Sequence, residues 1–128
     1  VQPMEVAEQD RARYHLASVI VSNFLPLMLE MGAACLEGIA KDQTAASEAL
    51  LPLMRGMLDS LVKHSPADAL TGPVVRNDME TVNAHLASDI DDSTLNLYRQ
   101  LTRALVDLAE REGRLSAEQA RTWRDALD

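Results

Sequence analysis

LASVIVSNFLPLMLEMGAACL, residues 16–36, is the most apolar stretch of this 128-residue chain, and its reading decides the fold. Leu16, Val19, Ile20, Phe24, Leu27, Met28, Met31 and Cys35 recur at steps of three and four, the repeat of one helix face. Worked outward, the pattern predicts a long first helix that begins between Glu5 and Gln9 and ends near Ile39. Pro26 lies inside it and should kink it, because proline removes a backbone donor and crowds the preceding turn. Ser22, Asn23 and Glu30 interrupt the apolar run. A carboxylate near the middle of a membrane span costs about 2.5–3.5 kcal/mol. The stretch therefore reads as a buried helix of a globular fold, with no membrane partner.

Downstream, a second helix is expected from Asp42 or Thr44 to about His64. Leu50, Leu51, Met54, Met57, Leu58 and Leu61 form its buried stripe, and Pro52 is a second kink. Residues 64–73 carry proline and glycine punctuation and read as a turn or short helical turns. Asn77 or Asp78 should cap a third helix to about Ser88, Glu80 completing a capping box with Asn77. Asp91, Asp92 or Ser93 should cap a fourth, whose Leu97, Leu101, Leu105 and Leu108 hold helical spacing before Gly113 stops it. Ser116 and Gln119 make a capping box for a last helix, Ala117 to about Leu127. No strand-like alternation of useful length occurs. The expectation is a single all-α domain over residues 1–128, a multi-helix bundle with a long kinked first helix.

Composition narrows the function. Twenty acidic against twelve basic residues give a net charge of -8, which argues against nucleic acid as a partner. Cys35 is the one cysteine, so neither an intrachain disulfide nor a cysteine-based zinc site can form. The first residues lack the basic and apolar regions of a signal peptide, so a cytoplasmic protein is expected. A chain that begins at Val1 reads as a processed product or an excised domain. No Gly-rich phosphate loop is present, so no cofactor site is expected in this chain. His15, His64 and His85 lack ligand spacing and no metal site is assigned, although a carboxylate-bridged metal bundle is a further reading.

Two features can carry chemistry. At 100° per residue, Ser22 lies about 20° and Asn23 about 80° round the first helix from His15. A buried amide or imidazole without partners costs roughly 1–3 kcal/mol. Either neighbouring helices satisfy this stripe, or it lines a ligand cleft with Asn23 a donor and His15 a donor or proton carrier. The second feature is Thr71-Gly72-Pro73 followed by Arg76: a hydroxyl, a close-approach glycine, a stiff turn and a planar cation. It forms either an anion-binding corner or a plain turn with Arg76 paired to Asp78. Trp123 reads as a packing anchor, and Cys35 as packing.

Arg13-Tyr14-His15-x-Ala17-x(4)-Ser22-Asn23, then Leu53-x-Arg55-Gly56, then Leu70-Thr71-Gly72-Pro73-x-x-Arg76-x-Asp78 resemble one family pattern in order and spacing. It is the helical domain of unknown function 2520, and the likeness weakens after about Leu108. In that family the domain follows an N-terminal Rossmann-like domain, and the whole resembles an NAD(P)-dependent oxidoreductase. The fold resembles the C-terminal dimerisation domain of 6-phosphogluconate dehydrogenase. The resemblance implies a homodimer built on the first helix, and a cleft shared with a Rossmann-like domain absent from this chain. By it, His15 and Asn23 are catalytic, while Ser22, Thr71, Gly72 and Arg76 bind a small anionic substrate. NAD(P) would come only with the missing domain. Related dehydrogenases carry a lysine one turn before the asparagine, where this chain has Val19; either His15 takes the acid/base role or no hydride transfer occurs. The other reading is a stand-alone, non-catalytic helical homodimer that binds a partner or small ligand.

Overall fold

The computed structural model describes residues 2–128, and among them it contains helices and no strand. The all-α class is as expected. α1 is one continuous run, Glu8–Ala34. It opens with a 3-10 turn, passes through an α-segment Arg11–Ser18 and a π-segment Val19–Asn23, and finishes as an α-segment Phe24–Ala34. The expected end near Ile39 is five residues too far. Turns succeed Ala34, and Gly38 adopts φ 77°, a left-handed conformation that reverses the chain at little cost only for glycine.

α2 spans Gln43–Lys63 and carries Pro52 without interruption. Asp42 starts it, accepting from the Ala45 N–H at 2.8 Å. α3 is the single turn Pro66–Ala69, α4 is Met79–Leu86, α5 is Asp92–Arg111 and α6 is Ala117–Ala126. The chain divides into two compact units between Leu53 and Met54.

In the first unit, α1 and α2 bury small residues. Ala33 and Ala46 are buried, and a Cβ placed on Gly32 would sit 3.3 Å from Leu50 Cδ1. Nothing else in α1 is buried, which corrects the expectation of a buried first helix. The reason is geometric: the helix continues for several turns beyond the residues that have something to pack against. By length and composition α1 is apolar enough to cross a membrane, its most apolar window having mean hydropathy 1.5.

The second unit has the larger core. Val74, Val82, Val106, Ala109, Leu115, Ala120, Trp123 and Leu127 cluster, with Val75, Met79, Leu86 and Tyr98 packed against them. Trp123 is fully buried, as its reading as an anchor requires, and its indole N–H donates to Asn77 Oδ1 at 2.8 Å. Asn77 holds φ 54°, a left-handed geometry that asparagine tolerates better than most residues. It is therefore a latch between the turn and α6, and Asp78 caps α4 instead, accepting from Thr81 N–H at 3.1 Å and Thr81 Oγ1 at 2.7 Å. The expected box between Asn77 and Glu80 does not form.

α5 buries Thr102, Val106 and Ala109, the row beside the expected leucines; Leu101 and Leu105 are exposed. Small and β-branched side chains let α6 approach α5 closely, which bulkier leucines would prevent. In α2, likewise, Leu50, Leu51 and Met54 are half-buried, but Met57, Leu58 and Leu61 are exposed. The other caps are as read. Asp91 accepts from Thr94 at 2.8 Å, and Ser116 and Gln119 exchange both bonds of a capping box.

Asn77→Ala should destabilise the fold more than Asn77→Gly in urea unfolding. Both orphan the Trp123 N–H, a loss of about 1–3 kcal/mol, but only alanine adds about 1–2 kcal/mol of left-handed backbone strain. Acid provides a second check. Hydrogen bonds from the Thr81 side chain and backbone hold the Asp78 carboxyl below its ordinary value of 3.8, and those from the Thr94 backbone and side chain do the same for Asp91. The unfolded chain thus binds these protons more readily, so the cap contribution is full above that value and lost as pH falls through the lower folded values. Asp78→Asn, which keeps an acceptor, should flatten the acid limb of the stability–pH curve measured below pH 4.

Candidate functional site

His15, Ser22 and Asn23 all lie on α1 in the first unit, and all three are exposed. Ser18 and Ser22 each turn a hydroxyl back onto the helix: Ser18 donates to the Tyr14 carbonyl at 3.1 Å, and Ser22 to the Ser18 carbonyl at 2.6 Å. Such back-bonding competes with the main-chain ladder and bends helices. Here the ladder slackens into π geometry at Val19–Asn23, immediately before Pro26. The wide turn lies upstream of the proline at which a kink is expected.

That turn changes which side chains line up. A π turn closes its bonds over five residues and acts as a one-residue insertion, so the residues beyond it lag by roughly 100°. Asn23, at the end of the insertion, comes to about 20° from His15. Ser22, within it, leaves that sector. His15 and Asn23 therefore share a face, but eight residues separate them by about 12 Å along the axis. They can bracket a ligand; they cannot meet at one reacting atom. The residue one wide turn before Asn23 is Ser18, and neither it nor Val19 is a lysine.

Thr71, Gly72 and Arg76 lie in the second unit. Thr71 is exposed and Gly72 adopts φ 96°. The turn is tied down by bonds from the Asn77 N–H to the Val74 carbonyl at 3.0 Å and from the Asp78 N–H to the Pro73 carbonyl at 2.8 Å. Val74 enters the core, while Arg76 stays exposed, 3.8 Å from Asp78. A surface pair at that distance is worth about 0–1 kcal/mol and leaves the guanidinium free to engage an anion. Of the six, Ser22 and Asn23 are the two joined by a hydrogen-bonding contact, 3.0 Å.

Neither of two surface concavities is lined by these residues. One of about 400 Å³ lies between the end of α1 and the start of α2, beside Glu37, Lys41 and Asp42. The other, about 310 Å³, is bordered by Met4, Val6, Asp10, Arg13, Tyr14 and Ala17. No group of three or more His, Cys, Asp or Glu side chains able to hold a metal occurs among the described residues. With no strand among them there is no βαβ turn either.

One pairing was not legible in the sequence. His85 Nδ1 lies 2.7 Å from the Tyr98 hydroxyl, with the rings edge to face at 5.7 Å. Burial pushes the Tyr98 phenol up, so at neutral pH it remains protonated and able to donate to the imidazole. The thirteen-residue separation, bridging the loop between α4 and α5, gives no periodic signal.

Residues 1–105 match the family model described as Domain of unknown function (DUF2520). The chain belongs to this family. No curated protein and no solved structure matches it. The DUF2520 match takes in all six candidate residues and stops within α5, so α6, with its buried tryptophan, lies beyond it.

Proposed function

We propose that this DUF2520 chain is the dimer-forming, substrate-facing half of an NAD(P)-dependent oxidoreductase. In this reading its fold is related to the C-terminal domain of 6-phosphogluconate dehydrogenase. An N-terminal Rossmann-like domain supplies the cofactor side of the cleft in the cytoplasm. His15 and Asn23 face the substrate, Ser22 supports them, and Thr71, Gly72 and Arg76 form an anion-receiving corner.

The observation that carries the reading is α1 itself, a helix that keeps Leu16, Ile20, Phe24 and Leu27 exposed beside its polar pair. The chain exposes 9503 Å². An ordinary stable interface buries roughly 800 Å² per partner. A second copy is the occupant proposed for this apolar face, since a two-fold contact would bring the same stripe together from both protomers. A bilayer suits it less, given Ser22, Asn23 and Glu30 along the same run.

The absence of lysine at both Ser18 and Val19 favours a second reading, a helical homodimer that binds a small ligand without catalysis.

Sedimentation should give a dimer at micromolar concentration, converted to monomer by Leu27→Glu; a wild-type monomer would overturn the interface, and partition into detergent would point to the bilayer. Titration of the chain alone with NADPH should show no micromolar binding. Binding that appears only when a Rossmann-like domain from the same reading frame is restored separates the enzyme from the ligand-binding module.

A further inference from the structure

We propose that Ser22 is a positioning residue that turns the Asn23 amide so that its carbonyl oxygen faces outward, which makes this point of the site a receptor for a hydrogen-bond donor, a hydroxyl or protonated amine of the ligand. This role rests on the reading of the α1 stripe as ligand-facing and names the chemistry it takes.

Counting protons decides the orientation. The Ser22 hydroxyl has two oxygen neighbours, the Ser18 carbonyl at 2.6 Å and Asn23 Oδ1 at 3.0 Å. A hydroxyl carries one proton and can donate to only one of them. The shorter contact goes to Ser18. With that proton committed, the serine oxygen and the amide oxygen would face each other as two acceptors with no hydrogen between them.

Half a turn about the Asn23 Cβ–Cγ bond removes the conflict. The amide oxygen and nitrogen have nearly the same shape, and the bonding around them decides which is which. Turned over, Asn23 Nδ2 donates to Ser22 Oγ, which donates to the Ser18 carbonyl. Each donor is used once, and successive bonds polarise one another. Asn23 Oδ1 then points away from Ser22, and because the side chain is exposed a ligand can reach it.

This reverses the donor role expected of Asn23 from its place in the stripe. A ligand carboxylate placed there would meet an acceptor, whereas a hydroxyl or ammonium group would meet its complement.

Nuclear magnetic resonance on the full isotope-labelled chain tests both halves. In the first, one Asn23 Nδ2 proton should lie near the Ser22 β-protons and exchange more slowly than those of exposed Asn83. Ser22→Ala should abolish that protection and Ser22→Thr restore it. An Asn23 amide whose exchange is unchanged by Ser22→Ala overturns the positioning role. In the second, propan-2-ol and acetone, matched in size but with a donor only in the alcohol, are titrated in turn. The Asn23 side-chain carbonyl carbon should shift with propan-2-ol and not with acetone. A larger shift with acetone overturns the donor preference. If neither solvent perturbs Asn23 while the Ser22 dependence holds, the ligand-facing reading fails and the proposed receptor falls with it.

Discussion

The constraint on which the structure depends is the mismatch between the length of α1 and what its own unit can cover. At 1.5 Å per residue its 27 residues extend about 40 Å. Its one fully buried residue, Ala33, and the close approach of Gly32 to Leu50 both lie in the last turns. The rest is amphipathic material without a core, and a helix gains most of its stability from packing of its apolar face. The polar residues on that helix take their meaning from the same fact. His15, Ser22 and Asn23 are not satisfied in an interior, so the requirement that would make them structural does not apply.

The second unit solves its packing internally. Trp123 fills its centre and must place one polar atom, and the turn before α4 supplies an acceptor by forcing Asn77 into a left-handed conformation. Asp78, the next residue, caps α4. The segment that presents Thr71 and Arg76 is thereby fixed at its far end to the core. A surface cation carried on such a turn is positioned without being buried.

Helix existence, caps and stops were legible because they are local. Asp42, Asp91, Ser116 and Gly113 act within one turn of themselves, and their signals lie in neighbouring residues. The family pattern was legible because its residues keep order and spacing. Which stripe is buried was not. In α5 the leucines and the row Thr102, Val106, Ala109 are both periodic, and only the close approach of α6 chooses between them. The α1 stripe misled for another reason: periodicity reports an apolar face, not whether anything stands ready to cover it.

The candidate site was legible in composition and misplaced in phase. A fixed 100° per residue puts Ser22 beside His15 and leaves Asn23 to one side, but the wide turn at Val19–Asn23 exchanges the two. The physical origin is in the sequence: Ser18 and Ser22 offer hydroxyls to carbonyls four residues back, and Pro26 offers no N–H to the ladder beyond. With two competitors for its acceptors and one missing donor within a few residues, the helix has less reason to hold α geometry there than anywhere else along α1. Ser22 thus leaves the sector of His15 and gains another task, holding the amide that replaces it there. At position 22 the hydroxyl therefore matters more than the size of the side chain.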